Sequence, residues 1–175
     1  MSDQILGKVG DDMDVFKKLG MKIPGFDDFM KRSKYRDADK LLRDTISRET
    51  DRQNQRISEL QRDFISQGEI LYVDDLEAVT VKLRTFSDRI RIATRGYAGL
   101  FDATKTNEAE LASVYGYDAA MLDKLDEIAR AIDTVLASVG GDGLPAAIRN
   151  LRTLSQELIE TFDKRVEVMK GIAAA

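Results

Sequence analysis

Histidine and cysteine are both missing from this chain of 175 residues. Their absence removes the usual general base at neutral pH, the commonest transition-metal ligands and all thiol chemistry. Ser-His-Asp and Cys-His sites and zinc centres are therefore excluded, and no disulfide can staple the fold. Tryptophan is absent too, aromatics make up 7% of residues, and there are only two prolines. A core drawn from this composition is mainly aliphatic, and few prolines leave long helices uninterrupted.

No stretch approaches the roughly 18 consecutive apolar residues that a membrane span requires, and the N-terminus lacks a basic-then-apolar signal pattern. A cytoplasmic location is expected. The net charge of −4 gives little bulk attraction to polyanions, so nucleic acid is not an expected partner. Gly140-Gly141-Asp142-Gly143 lacks the alternating Asp/Asn ladder of a calcium loop and reads as a flexible turn. No catalytic, cofactor-binding or metal-ligating residue emerges. Neither a cofactor nor a small-molecule ligand is expected, and the chain does not read as an enzyme.

What is present is helical patterning, in a chain of a size for one domain. Residues 1–25 read as a weakly ordered amphipathic leader, with a short helix over 11–19. Its apolar Met13, Val15, Phe16 and Leu19 are candidates for docking on a membrane or partner, or for packing on the protein itself. Over 1–19, three lysines face four aspartates, the wrong sign for an anionic bilayer. Residues 26–172 read as a single helical-bundle domain. It opens on the basic cluster Lys31-Arg32-Ser33-Lys34-Tyr35-Arg36, read as a solvated helix start.

A long first helix is predicted over 35–67, closed by Gly68. Leu42, Ile46, Ile57, Leu60 and Phe64 mark its seam, but Thr50 and Gln53 hold the middle. Polar residues in a coiled-coil seam can fix the register of a second chain, so self-association is an expectation. Its N-terminal end should project past the bundle unless the leader or another subunit covers it. Ile70-Leu71-Tyr72-Val73 reads as an apolar loop tucked under the bundle, with Asp74 as N-cap of a second helix over 75–94. That helix carries Leu76, Val79, Leu83, Phe86 and Ile90 at clean three-four spacing.

Asn107 and Glu110 have the form of a capping box. A short helix to Val114 is expected, then a restart at Tyr115-Gly116-Tyr117 with Asp118 as a second N-cap. A last helix begins near Pro145. Together these predict an all-α fold, an antiparallel up-down-up-down bundle with one longer first helix. Residues 80–95 hold five cations against one aspartate, and 108–133 seven carboxylates against two cations. That contrast would favour these consecutive helices as neighbours.

Between the halves lies Arg95-Gly96-Tyr97-Ala98-Gly99-Leu100-Phe101-Asp102. Two glycines and the apolar Tyr97, Leu100 and Phe101 suit a buried crossover that plugs the bundle end. The same corner is a candidate partner- or anion-binding site through Arg95, Tyr97, Leu100, Phe101 and Lys105. The segment from Gly96 to Lys105 is similar to a motif of uncharacterised bacterial helical proteins. That resemblance implies a family without supplying a role. The long helix and amphipathic leader also resemble bacterial membrane-stress proteins of the phage-shock type at the level of fold. The functional expectation is a non-enzymatic helical scaffold or adaptor acting through protein–protein contacts and self-associating. The alternative is a peripheral membrane protein that uses its N-terminal segment.

Overall fold

The computed structural model describes residues 14–93, 98–102, 104–105 and 107–175. A short helical pair, residues 14–22 (α1) and Phe26–Lys31 (α2), precedes Tyr35–Gln67 (α3), Val73–Arg91 (α4), Glu108–Ala137 (α5) and Leu144–Ala174 (α6). Single 3-10 turns lie at Ile70–Tyr72 and Ala98–Phe101, and no strand occurs among the described residues. The fold is all-α.

Helix α3 has the predicted bounds, because nothing inside it breaks the backbone ladder and Gly68 stops it. At φ 77° Gly68 adopts the left-handed conformation. Its N–H bonds Ile65 O at 3.2 Å and that of Glu69 bonds Phe64 O at 2.9 Å, a Schellman closure. At α5, Asn107 caps as expected, accepting from Ala109 N at 2.9 Å. Pro145 sits in the first turn of α6, where its missing N–H costs nothing.

Side-chain pairs set the helix directions. Ser47 meets Ser87 and Gln61 reaches Glu77, so α3 and α4 are antiparallel. Lys124 bonds Glu157 and Arg165 bonds Asp118, making α5 and α6 antiparallel. Tyr115 bonds Tyr35 and Arg56 reaches Asp133, so α3 and α5 run together. Arg152–Asp75 and Arg89–Asp163 likewise align α4 with α6. Around the bundle the order is α3, α4, α6, α5, which puts α4 and α5 across a diagonal.

Four expectations are corrected. The basic α4 and acidic α5 are not neighbours: Arg89 and Arg91 pair with Asp163 and Asp51, and Asp123 pairs with Lys18 and Lys22. Helix α5 does not restart at Gly116, and Asp118 is no cap. The helix runs 30 residues unbroken, since one glycine costs a long, well-packed helix only about 1 kcal/mol. The second long helix, α4, begins at Val73, so Asp74 lies in its first turn and is not its N-cap. The loop after Gly68 does not tuck under the bundle, because Ile70 and Leu71 stand 71% and 77% exposed and only Tyr72 and Val73 pack against the core.

The leader covers the N-terminal end of α3, one of the two alternatives to projection. Leu19, Ile23 and Phe26 are buried in the core, which therefore begins before residue 25. Phe16 and Phe26 both meet the Tyr115 ring edge-on, at centroid distances of 6.1 and 5.8 Å.

Candidate functional site

Three core stripes carry a charge where an apolar residue belongs. Asp39 stands three residues before Leu42, Asp118 lies between Tyr115 and Leu122, and Arg165 between Phe162 and Met169. The helix period turns all three inward. Each is buried, and they meet in the bundle interior, toward the end where α3 begins and α4 finishes. Arg165 donates from Nε to Asp118 Oδ1 at 2.8 Å and from Nη2 to Asp39 Oδ1 at 3.1 Å. Its Nη1 lies 2.9 Å from Met169 Sδ. Asp39 Oδ2 accepts from Arg43 Nε at 2.8 Å, and Arg43 Nη1 donates to the Arg91 carbonyl at the end of α4 at 2.5 Å. One network thus touches all four long helices.

Two arginines and two aspartates leave the cluster neutral, yet Asp39, Asp118 and Arg165 have lost their water. Burial raises the Asp39 carboxyl, opposed by Arg165 and Arg43. Burial lifts Asp118 to about 6, opposed by Arg165 and assisted by Asp39. Asp118 Oδ2 has no hydrogen-bond partner among the described residues, which adds to the cost of its charge. Burial works against the Arg165 charge, but Asp118 and Asp39 more than offset it and hold the guanidinium more firmly protonated. The Tyr115 phenol, one turn from Asp118, is raised well above its usual value by burial and then by Asp39 and Asp118. Its hydroxyl donates to Tyr35 O at 3.2 Å. With Asp39, Asp118 and Arg165 all buried, the arrangement ties α3, α5 and α6 together.

The polar middle of α3 is used within the chain. Thr50 donates to its own Ile46 O at 2.7 Å, and Gln53 Nε2 donates to Glu49 at 2.5 Å while its Oε1 accepts from Arg56 at 2.9 Å. Ser87 donates to Asp51 Oδ1 at 2.7 Å, which leaves Ser47 as donor to Ser87 at 3.0 Å.

Of the corner, Arg95 and Tyr97 lie outside the described residues. Phe101 is buried and Leu100 half-buried against the core, as a plug at the bundle end requires, whereas Lys105 is exposed. Asp102 accepts from Thr104 N at 3.0 Å and Thr104 Oγ1 at 2.8 Å. Those bonds, and then Lys105 and Arg36, hold its carboxyl below the usual range. Arg36 and Lys105, 69 positions apart, thereby share one end of the molecule.

Met13, among the docking candidates, lies outside the described residues. Leu19 is fully buried, and Val15 and Phe16 pack against the core, so these three face the protein itself. Exposed on α1 is Met21, at 80%, which the sequence reading did not single out.

At the opposite end, the α3–α4 turn forms a tip on which Ile70 and Leu71 are exposed, with Ile65, 58% exposed, two residues before the end of α3. A shallow groove of about 490 Å³ between α4 and α6 is lined by Lys82, Arg149, Arg152, Gln156, Glu157 and Glu160. Its charges are mixed, and Arg152 and Glu157 are engaged by Asp75 and Lys124. No cluster of three or more metal-ligating side chains occurs among the described residues. Among the same residues, no helix is long and apolar enough to cross a membrane. Comparison with family models, curated proteins and solved structures gives no match to this chain.

Proposed function

We propose that this chain is a non-enzymatic helical scaffold or adaptor that acts through protein–protein contacts and self-associates. The observation that carries the reading is the tip. Ile70 and Leu71 expose two large aliphatic side chains to solvent at the α3–α4 turn, while Thr50 and Gln53 in the middle of the α3 seam bond within the chain. Exposed aliphatic side chains gathered at one turn suit a contact surface. The seam of α3 is occupied internally, so association uses the helix ends and not that seam.

Light scattering coupled to size exclusion tests the reading over a wide concentration range. Mass rising with concentration is the expected result. A constant monomer mass would remove self-association and leave the adaptor role to a pull-down comparing the native chain with Ile70→Asp/Leu71→Asp. That pair suits the purpose better than a Phe101 substitution, because Phe101 is buried and its loss would disturb the fold.

The peripheral membrane reading draws less support, since Leu19 is buried and Val15 and Phe16 pack inward. Liposome flotation of the full chain beside a truncation lacking residues 1–20 addresses it. Flotation lost on truncation would revive that reading.

A further inference from the structure

We propose that copies of this chain associate head to tail, the apolar α3–α4 tip of one seating on the basic α2–α3 turn of the next. The inference rests on the self-association half of the scaffold reading and specifies its surfaces.

The two ends differ in chemistry. Around Ile65, Ile70 and Leu71, residues 62–77 hold five carboxylates against the single Arg62. Asp75 is engaged by Arg152, but Asp63, Glu69 and Asp74 have no ion pair with any described residue. At the other end, residues 31–36 hold four cations and no carboxylate, with Asp27, Asp28 and Asp37 flanking. Lys31, Arg32 and Lys34 are exposed and likewise lack an ion pair with any described residue. Ser33, at φ 53°, folds that turn tightly and gathers the three cations on one short bend.

These ends cannot meet within one molecule. They are separated by the length of α3, about 50 Å at 1.5 Å per residue. Nor does charge favour like ends. A tip-to-tip dimer would set Glu69 and Asp74 against their own copies, and a base-to-base dimer would do the same to Lys31, Arg32 and Lys34. Like-charge juxtaposition suppresses both, leaving the heterologous contact, which repeats into a ring or an open chain. An apolar tip of three residues is small, so the contact belongs to the transient class, below about 1,200 Å² of total buried surface. Exposed charges at its rim make it salt-sensitive.

Sedimentation velocity on the full chain, from micromolar to near-millimolar concentration, tests the proposal with two variants. Ile70→Asp/Leu71→Asp disables the tip, and Lys31→Glu/Arg32→Glu/Lys34→Glu disables the base. All five side chains are exposed, and circular dichroism verifies folding. Should either variant lose helicity, Ile70→Ser/Leu71→Ser or Lys31→Gln/Lys34→Gln replaces it. Each variant alone is expected to raise the midpoint concentration of association by about tenfold or more. Mixed in equal amounts, the two still have one good tip and one good base between them. The mixture should form dimers and nothing larger.

A wild-type chain that stays monomeric throughout removes both this inference and the self-association reading. Oligomers that persist unchanged in both variants overturn head-to-tail docking and leave self-association standing. Loss in one variant alone, with no rescue on mixing, points to like ends meeting and overturns the inference.

Discussion

Asp118 and Arg165 face each other across 2.8 Å with neither side chain exposed to solvent. The same guanidinium also holds Asp39 on α3, so a single side chain of α6 ties two other helices. Removing it would strand two carboxylates in the core. Arg165→Ala is expected to cost about 3–5 kcal/mol, read as a lowered midpoint in urea unfolding. Asp118→Leu combined with Arg165→Leu should cost less than the sum of the separate changes, because the double change leaves fewer unpaired charges. Simple additivity would mean that the two residues are not coupled.

Stability should fall as pH rises through about 6. Asp118 titrates at about 6 in the folded chain, against about 3.9 when unfolded. The folded state holds this proton more tightly. The resulting stabilisation is complete below the unfolded value and is lost as pH rises through the folded one. Asp39, raised by the same burial, acts in the same direction. The loss should be on the order of 2 kcal/mol between about pH 4 and pH 7, and Asp118→Asn should remove most of it. Asp123 behaves oppositely: burial works against its charge, but Lys18 and Lys22 more than offset this and hold it low. Its contribution is present above the unfolded carboxylate value and is lost as pH falls below it. Urea midpoints across the acid range, with and without the substitution, would show both effects; an unchanged slope in the variant would point to another group.

The helical pair α1–α2 is held by its apolar residues far more than by its ion pairs. Phe26 is fully buried against Tyr115, so Phe26→Ala should cost about 3–5 kcal/mol. Lys18→Ala breaks a bridge to Asp123 whose side chains are 47% and 41% exposed, and should cost under about 1 kcal/mol. Amide exchange across 19–30 is the sensitive readout, since Phe26→Ala should speed it locally. Equal effects of the two changes would contradict the assignment of stability to packing.

Gly116 lies within α5, and an added Cβ would meet nothing within 4 Å. Gly116→Ala should therefore stabilise the protein by about 0.5–1 kcal/mol, through a less flexible unfolded chain. Gly68→Ala should destabilise it, because Gly68 holds φ 77°. Thermal melts of the two variants should shift in opposite directions.

Local features of this fold were readable from residue types. The bounds of α3 follow from an uninterrupted run and a stopping glycine, and Asn107 caps where its side chain and neighbours said it would. The buried cluster was not readable as such. Asp118 follows Tyr115-Gly116-Tyr117, a pattern that mimics a helix start, and its spacing from Leu111, Tyr115, Leu122 and Leu125 was the overlooked signal. Arg165 carried the same signal between Phe162 and Met169. Spacing alone shows that a charge points inward, but its partner lies 47 or 126 residues away, and only the assembled bundle supplies it. The ring order escaped for the same reason. Charge contrast between consecutive helices says nothing once each finds closer partners, as Arg91 does in Asp51 and Asp133 in Arg56.

That diagonal placement of α4 and α5 bears on how the chain reaches its structure. Each hairpin, α3 with α4 and α5 with α6, joins segments close in sequence, and such local contacts form early. The hairpins then have to find each other, and the bridge from Asp39 to Arg165 closes only when they do. Arg165→Ala should accordingly speed unfolding while leaving the folding rate nearly unchanged. The buried ion pair acts as a brake on departure from the native state and gives little guidance on the way in.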